Sequence, residues 1–310
     1  MSDLTLGQTV RRLTAEELEV GFAATANEGK AASAPDTPEV DLADPDALEV
    51  IDLLKDYSGV LLTGAPGTSK TYLAHTVAMI LSEGNSARRA FAQFHPSYQY
   101  EDFMEGYRPK EGGGFERCPG VFLQLCAAAA RDLDHSYVMV IDELSRGDAA
   151  RVFGEALTYV ERSKRGMSFL LPSGTIATVP PNVAIVATMN PLDRGVDEVD
   201  AAFERRFAKR LMLPNAELLE ARLIENDVPD ALRKALLGWF RDINGQKTPA
   251  AQIGHAYFWN ITDEASLKAA WEYQVQYHVD RAFRYEEQTR DRLRDKWAAI
   301  FVGDTQAESK

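Results

Sequence analysis

Five short apolar runs recur along the first two-thirds of the chain, each bounded by charged or turn-forming residues. They are GVLLTG (59–64), RAFAQF (89–94), YVMVIDE (137–143), VAIVATMN (183–190) and AKRLML (208–213). Their length and β-branched content predict strands. Between several of them the apolar spacing changes to three or four residues. DALEVIDLLKDY (46–57) puts Leu48, Ile51, Leu53 and Leu54 on a helical face just before the first strand, and DAARVFGEALTYVER (148–162) reads as one helix burying Val152, Phe153, Ala156, Leu157 and Val160. Strands alternating with helices imply a parallel sheet covered on both sides. From about residue 215 the strands stop. NAELLEARLIEN (215–226), DALRKALLGWFRDI (230–243), DEASLKAAWEYQVQ (263–276) and DRAFRYEEQTRDRLRDKWAAIF (280–301) all carry helical patterns. The predicted division is an acidic arm or linker over 1–45, an α/β core over 46–213 and a smaller helical domain over 214–310.

Composition narrows the class. The chain has 310 residues, 45% of them hydrophobic, enough for a sizeable core. No apolar run approaches a membrane span. The stretch MSDLTLGQTVRRLTAEELEV has acidic and polar breaks where a signal peptide needs a continuous apolar segment, so a cytoplasmic address and no membrane partner are expected. Cys118 and Cys126 have no paired C-x-x-C spacing and read as ordinary thiols rather than a disulfide framework or zinc site. The net charge of −13 argues against nonspecific attraction of the whole surface to nucleic acid. Residues 1–50 hold three basic and eleven acidic residues, so most of the excess precedes the first strand. Residues 20–47, rich in Ala, Asp, Pro and Gly, fit a linker or loosely packed arm.

The chemistry begins after the first strand. LLTGAPGTSKTYLA (61–74) follows the phosphate-loop pattern G-x-x-x-x-G-K-[ST] except that Ser69 replaces the second glycine. In such a loop, backbone N–H groups and the next helix N-terminus cradle phosphates, a Lys reaches the β and γ oxygens and a hydroxyl ligates magnesium. Lys70 and Thr71 occupy those places. Glycine allows a positive φ and close approach to phosphate; a serine fits at little cost if the backbone there is helical, and its hydroxyl could contact phosphate. VMVIDE then delivers two carboxylates to a strand end, Asp142 suited to the magnesium shell and Glu143 to orienting or deprotonating attacking water. VAIVATMN ends on Asn190, an amide that orients water without competing for metal. DEVDAAFERRF follows, with Arg205 and Arg206 open to two readings: a finger stabilising charge on a neighbour's phosphate, or a solvated basic face.

The ordered set GAPGTSKT, VMVIDE, ATMN and FERRF resembles the AAA+ NTPases. DELSRGDAARVFGE, QFHPSYQYEDFMEGYRP (93–109), ATMNPLDRG (187–195) and QIGHAYF (252–258) resemble the McrB-type branch, the motor component of modification-dependent restriction systems. The likeness spans about residues 46–300. It implies an AAA+ P-loop NTPase fold, a parallel five-stranded sheet between helices followed by a helical lid. It further implies Gly64, Ala65, Pro66, Gly67, Thr68, Ser69, Lys70, Thr71 and Tyr72 around the nucleotide, Thr71 and Asp142 at magnesium, and Glu143 and Asn190 in catalysis. Asp193 and Arg194 fall in the branch's signature loop, which supports hydrolysis and responds to a partner; Pro191 and Leu192 stand where the family usually has Thr-Ala. Relatives in neighbouring MoxR-like branches accept Ala or Ser at the position of Ser69, so a working site is expected. His255 falls where AAA+ lids place a second sensor, and reads either as a nucleotide contact or as a core histidine satisfying a hydrogen bond. The aromatic segment 94–107 reads as a structural insertion rather than a base-stacking platform, since Glu101, Asp102 and Glu105 disfavour phosphate.

The resemblance implies a homo-oligomeric ring, expected to be a hexamer, using ATP or GTP with Mg2+; the absence of an N-K-x-D guanine-reading motif tilts the expectation to ATP. No clustered carboxylates with a catalytic lysine mark a nuclease here. Target recognition and cleavage are therefore expected on a second, McrC-like effector chain, with DNA reached through that partner. Two other classes stay open: a MoxR-like chaperone ATPase remodelling a protein, and a nucleotide-binding scaffold whose hydrolysis Ser69 has abolished.

Overall fold

The computed structural model describes residues 43–191, 203 and 205–301. Asp44 accepts from the N–H groups of Asp46 and Ala47, capping helix α1 (Pro45–Asp56). Strand β1 (Gly59–Gly64) follows and leads through the glycine-rich loop into α2 (Lys70–Leu81). Next come β2 (Arg89–Gln93), the single turn α3 (Tyr100–Phe103), the hairpin β3 (Glu105–Pro109) with β4 (Phe115–Pro119), and α4 (Val121–Ala129). Strand β5 (Tyr137–Asp142) is followed by α5 (Ala149–Phe153), α6 (Ala156–Tyr159), a second hairpin of β6 (Ser168–Leu170) and β7 (Ile176–Thr178), then β8 (Val183–Met189) and β9 (Phe207–Met212).

Five of the strands form one sheet in the order β2-β5-β8-β1-β9, with every neighbouring pair parallel. All six residues of β1 are buried, as a central strand covered on both faces requires. One layer packs Val60, Leu62, Val138, Val140 and Val186 against Leu73, Ala74 and Val77 of α2. The opposite layer packs Leu61, Met139, Ile141 and Ile185 with a cluster of phenylalanines that includes Phe103, Phe122, Phe153 and Phe203. The chain jumps from β1 to the far edge strand β2 before returning through β5 and β8. The crevice where such an order reverses lies at the carboxyl ends of the strands, where open α/β sheets bind ligands.

After Met212 the described elements are helices: α7 (Ala216–Glu225), α8 (Asp230–Asn244), α9 (Glu264–Ala270), a π-helical turn Trp271–Val275 running straight into α10 (Gln276–Ala282), and α11 (Glu287–Ala299). They enclose their own core of Leu219, Leu236, Phe240, Phe258, Val279 and Leu293, with Trp239, Trp271 and Trp297 in mutual ring contact. The described residues nonetheless form one compact unit.

Three local expectations are corrected. The helix read over 148–162 is two short helices, because Gly154 adopts φ 49° and ψ −130°, a conformation closed to other residues, and a Cβ there would lie 2.6 Å from the Tyr100 ring. The helix read over 280–301 starts only at Glu287: Phe283 leaves the helical region, at φ −108° and ψ 33°, and is fully buried. Both hairpins arise in stretches where the apolar pattern predicts no strand. Tyr107, Phe115, Leu170 and Ile176 are strongly exposed, and in β6 the exposed Leu170 sits beside the buried Phe169, so apolar residues do not mark one face.

Candidate functional site

The carboxyl ends of β1, β5 and β8 converge on a cleft of about 350 Å3 lined by residues 66–72, Glu143, Arg146, Thr188, Met189, Asn190 and Ala256. Within the loop, the Thr68 hydroxyl donates to the carbonyl of Ala65 at 2.9 Å, closing the turn from inside. The Lys70 ammonium donates to the carbonyls of Gly64 and Ala65 at 2.9 and 2.8 Å, so the cation is held at the mouth of the loop, curled over it. The Thr71 hydroxyl, at the start of α2, donates to Asp142 Oδ1 at 2.9 Å. Thr188 on β8 donates to that same carboxylate oxygen and also accepts from the Glu143 backbone N–H. The start of α2 and the ends of β5 and β8 are thus tied into one polar network.

Glu143 takes a left-handed backbone, φ 55°, directly after β5. That turn separates the two neighbouring acids: Asp142 points to Thr71 and Thr188, while Glu143 faces the cleft and accepts from Arg146 Nε at 2.9 Å. Strain at a non-glycine residue is often found where geometry serves a site. Asn190, just beyond β8, is buried at the cleft wall.

Most of the site residues expected from the sequence therefore meet around one cleft. The loop residues 64–72, Asp142, Glu143 and Asn190 are together. Thr71 and Asp142 offer adjacent hard oxygens, a donor set that fits Mg2+, which takes one or two protein oxygens and completes its shell from phosphate and water. Among the described residues there is no group of three or more His, Cys, Asp or Glu that could hold a metal by itself. Ser69 does not have the helical backbone that would make serine inexpensive; it sits at φ 62°, ψ 24°. His255 is buried and lies behind the loop, with Nε2 at 2.9 Å from Ser69 Oγ, and its neighbour Ala256 is the lid residue that lines the cleft. Arg205 is exposed and Arg206 is buried, with its Nε 3.6 Å from Glu161 Oε2. Asp193 and Arg194 lie outside the described residues.

Sequence reasoning passed over Arg146 and Thr188. Arg146 was detectable as a cation three residues after Glu143, within reach on a short helical turn; Thr188 had no local signal, because its partners lie 45 and 46 residues away.

A glycine-rich loop between a buried strand and a helix, an Asp-Glu pair ending a second parallel strand and an amide ending a third define a P-loop nucleotide-binding α/β protein. Residues 59–207 match the model of the AAA domain of the dynein-related subfamily, so the chain carries a domain of that kind. It is similar, at 31% identity over 265 aligned residues covering 79% of this chain and 57% of the relative, to the type IV methyl-directed restriction enzyme EcoKMcrB subunit of Escherichia coli. It is 29% identical over 189 residues, 48% of this chain and 55% of the relative, to the type II restriction enzyme BsuMI component YdiS of Bacillus subtilis. The chain thus spans a little over half the length of these two relatives, both of which are restriction-system proteins. An AAA domain implies nucleotide hydrolysis, and no helix of the described residues is long and apolar enough to cross a membrane.

Proposed function

We propose that this chain is a ring-forming nucleoside-triphosphate hydrolase, with ATP favoured over GTP, that works as the motor subunit of a bacterial restriction or antiviral system beside a separate effector or nuclease chain. The observation that carries the proposal is the convergence of Lys70, Thr71, Asp142, Glu143 and Asn190 at three adjacent parallel strand ends around one cleft. The similarity to two restriction-system subunits supports the choice of system.

In this reading the N–H groups of residues 67–71 and the N-terminus of α2 receive the phosphates. Lys70 exchanges its two loop carbonyls for phosphate oxygens. Thr71 and Asp142 hold Mg2+, which supplies charge neutralisation on the phosphates when bound. Glu143 orients water and accepts its proton, and Asn190 fixes that water from the side. Glu143 must exchange its bond to Arg146 for one to water, so the pair keeps the carboxylate aimed until substrate arrives. Of the two adjacent arginines, Arg205 is the one free to enter a neighbour's cleft, because Arg206 is turned inward against Glu161. Asp193 and Arg194 are proposed as partner-responsive residues on the resemblance alone.

The deciding experiment measures turnover of ATP and of GTP with magnesium, alongside mass in solution with each nucleotide. Turnover with a nucleotide-dependent ring is the expected result; a chain that stays monomeric and inert in the presence of either nucleotide and any co-purifying partner refutes the motor. Recovery of a partner lacking nuclease and DNA-binding activity would favour instead a chaperone ATPase acting on protein.

A further inference from the structure

Three bonds fasten the lid directly to the phosphate loop. The Gly254 N–H donates to the Pro66 carbonyl and the Ala256 N–H to the Gly67 carbonyl, both at 3.0 Å. The backbones lie so close that a Cβ on Gly254 would stand 2.0 Å from the Gly67 carbonyl atoms. Between these two donors, the His255 ring reaches Ser69 Oγ with Nε2. Its other nitrogen, Nδ1, accepts from the backbone N–H of Asn215 at 3.3 Å. An accepting Nδ1 places the proton of the neutral ring on Nε2, so Nε2–H donates to Ser69. Asn215 is in turn the cap of α7, the first helix after the sheet, accepting from Glu217 and Leu218 N–H. One imidazole therefore joins the phosphate loop, the hinge after β9 and the lid.

Ser69 needs such a partner. It is in the left-handed region, φ 62°, at the residue that starts α2, where its carbonyl accepts from Leu73 N–H. A side chain disfavours that conformation, which glycine adopts freely. Serine at a helix start commonly turns its hydroxyl onto the helix N–H groups; here it makes no such cap, and the hydroxyl goes to His255 instead. The N–H groups of α2 are left for another acceptor.

We propose that His255 is a positioning residue that, by tethering Ser69, holds the phosphate loop in its nucleotide-receiving conformation and transmits displacement of the lid to it. The inference rests on the nucleotide reading of the cleft. It assigns His255 to the loop, not to direct contact with the nucleotide, and explains how a serine functions where the loop pattern has glycine.

The test compares Ser69→Ala with Ser69→Gly. Alanine keeps the Cβ but loses the tether, whereas glycine needs no tether. Affinity for a fluorescent ATP analogue and for its GTP counterpart should be about fivefold to thirtyfold weaker in Ser69→Ala than in Ser69→Gly, the range set by the left-handed penalty. His255→Ala should weaken affinity in the Ser69 background and have less than half that effect, as a logarithm, in the Ser69→Gly background. Without nucleotide, amide hydrogen exchange over residues 66–72 should be faster in Ser69→Ala and His255→Ala than in the unsubstituted chain. Because His255 is buried and its removal can cost folding, Ser69→Ala, at a half-buried loop position, carries the test independently. Affinity and exchange in Ser69→Ala equal to those of the unsubstituted chain overturn the tether. If the unsubstituted chain binds neither analogue, the nucleotide reading fails, while the exchange comparison still decides whether the tether holds the loop.

Discussion

At the scale of single residues, neighbours of the same type part company. Asp142 and Glu143 are adjacent acids, yet the left-handed turn at Glu143 sends one to Thr71 and the other to the cleft. Glu143→Gln is expected to keep nucleotide affinity within about threefold and to lower turnover by about a hundredfold or more, the scale of a lost general base; steady-state turnover with binding measured in parallel checks both. Arg205 and Arg206 diverge likewise. Arg206→Ala should lower stability by about 1–3 kcal/mol, since it strips a buried cation from Glu161. Arg205→Ala should leave the unfolding midpoint in place and abolish turnover of the assembled protein. Denaturant titration and turnover, run on both variants, distinguish the two; the reverse pattern would make Arg206 the finger.

Elements depend on spacing, and spacing was legible where one face is buried throughout. The five core strands and α8 show this: Leu232, Leu236, Trp239, Phe240 and Ile243 recur at three and four residues along α8 and all are buried. The same rule misled over 148–162, where the apolar period runs unbroken through Gly154 and only contact with Tyr100 shows why the helix must stop. In the lid, Trp239 packs edge-on against Trp271 and Trp297 and donates from Nε1 to the Leu293 carbonyl at 2.9 Å. Trp239→Ala is expected to cost about 3–5 kcal/mol, with Trp239→Phe losing less because it keeps most of the apolar contact. Chemical denaturation followed by tryptophan fluorescence reads both.

For the whole molecule, two consequences follow from what is buried and what is open. Burial lowers the pKa of His278 and His255 below the ordinary histidine value, with a nearby Arg281 adding to the shift at His278. His278 donates from Nε2 to the Ala251 carbonyl, and its Nδ1 finds no partner among the described residues. Below a pH of about 6.5 the unfolded chain binds protons that the folded one refuses, so this contribution to stability is complete above that pH and lost as the pH falls through it. The unfolding midpoint should drop between pH 7 and 5, and His278→Gln should flatten the decline. The open side concerns assembly. If Arg205 acts across an interface, mixing Arg205→Ala subunits with Lys70→Ala subunits should restore part of the turnover that each lacks alone; no restoration at any ratio places the arginine's role within its own subunit.

The five core strands, the helical character of the region after them, the phosphate loop, the Asp-Glu pair and the strand-ending amide were determined by the sequence itself, because each rests on residues a few positions apart whose period or spacing carries the meaning. The strand order β2-β5-β8-β1-β9, the meeting of Thr188 with Asp142, the inward turn of Arg206 and the bond from His255 to Ser69 were decided only by the tertiary structure. Each joins residues tens to nearly two hundred positions apart. Their partners are chosen when the sheet closes and the lid packs on it, and no local pattern along the chain encodes which distant group a buried donor will face.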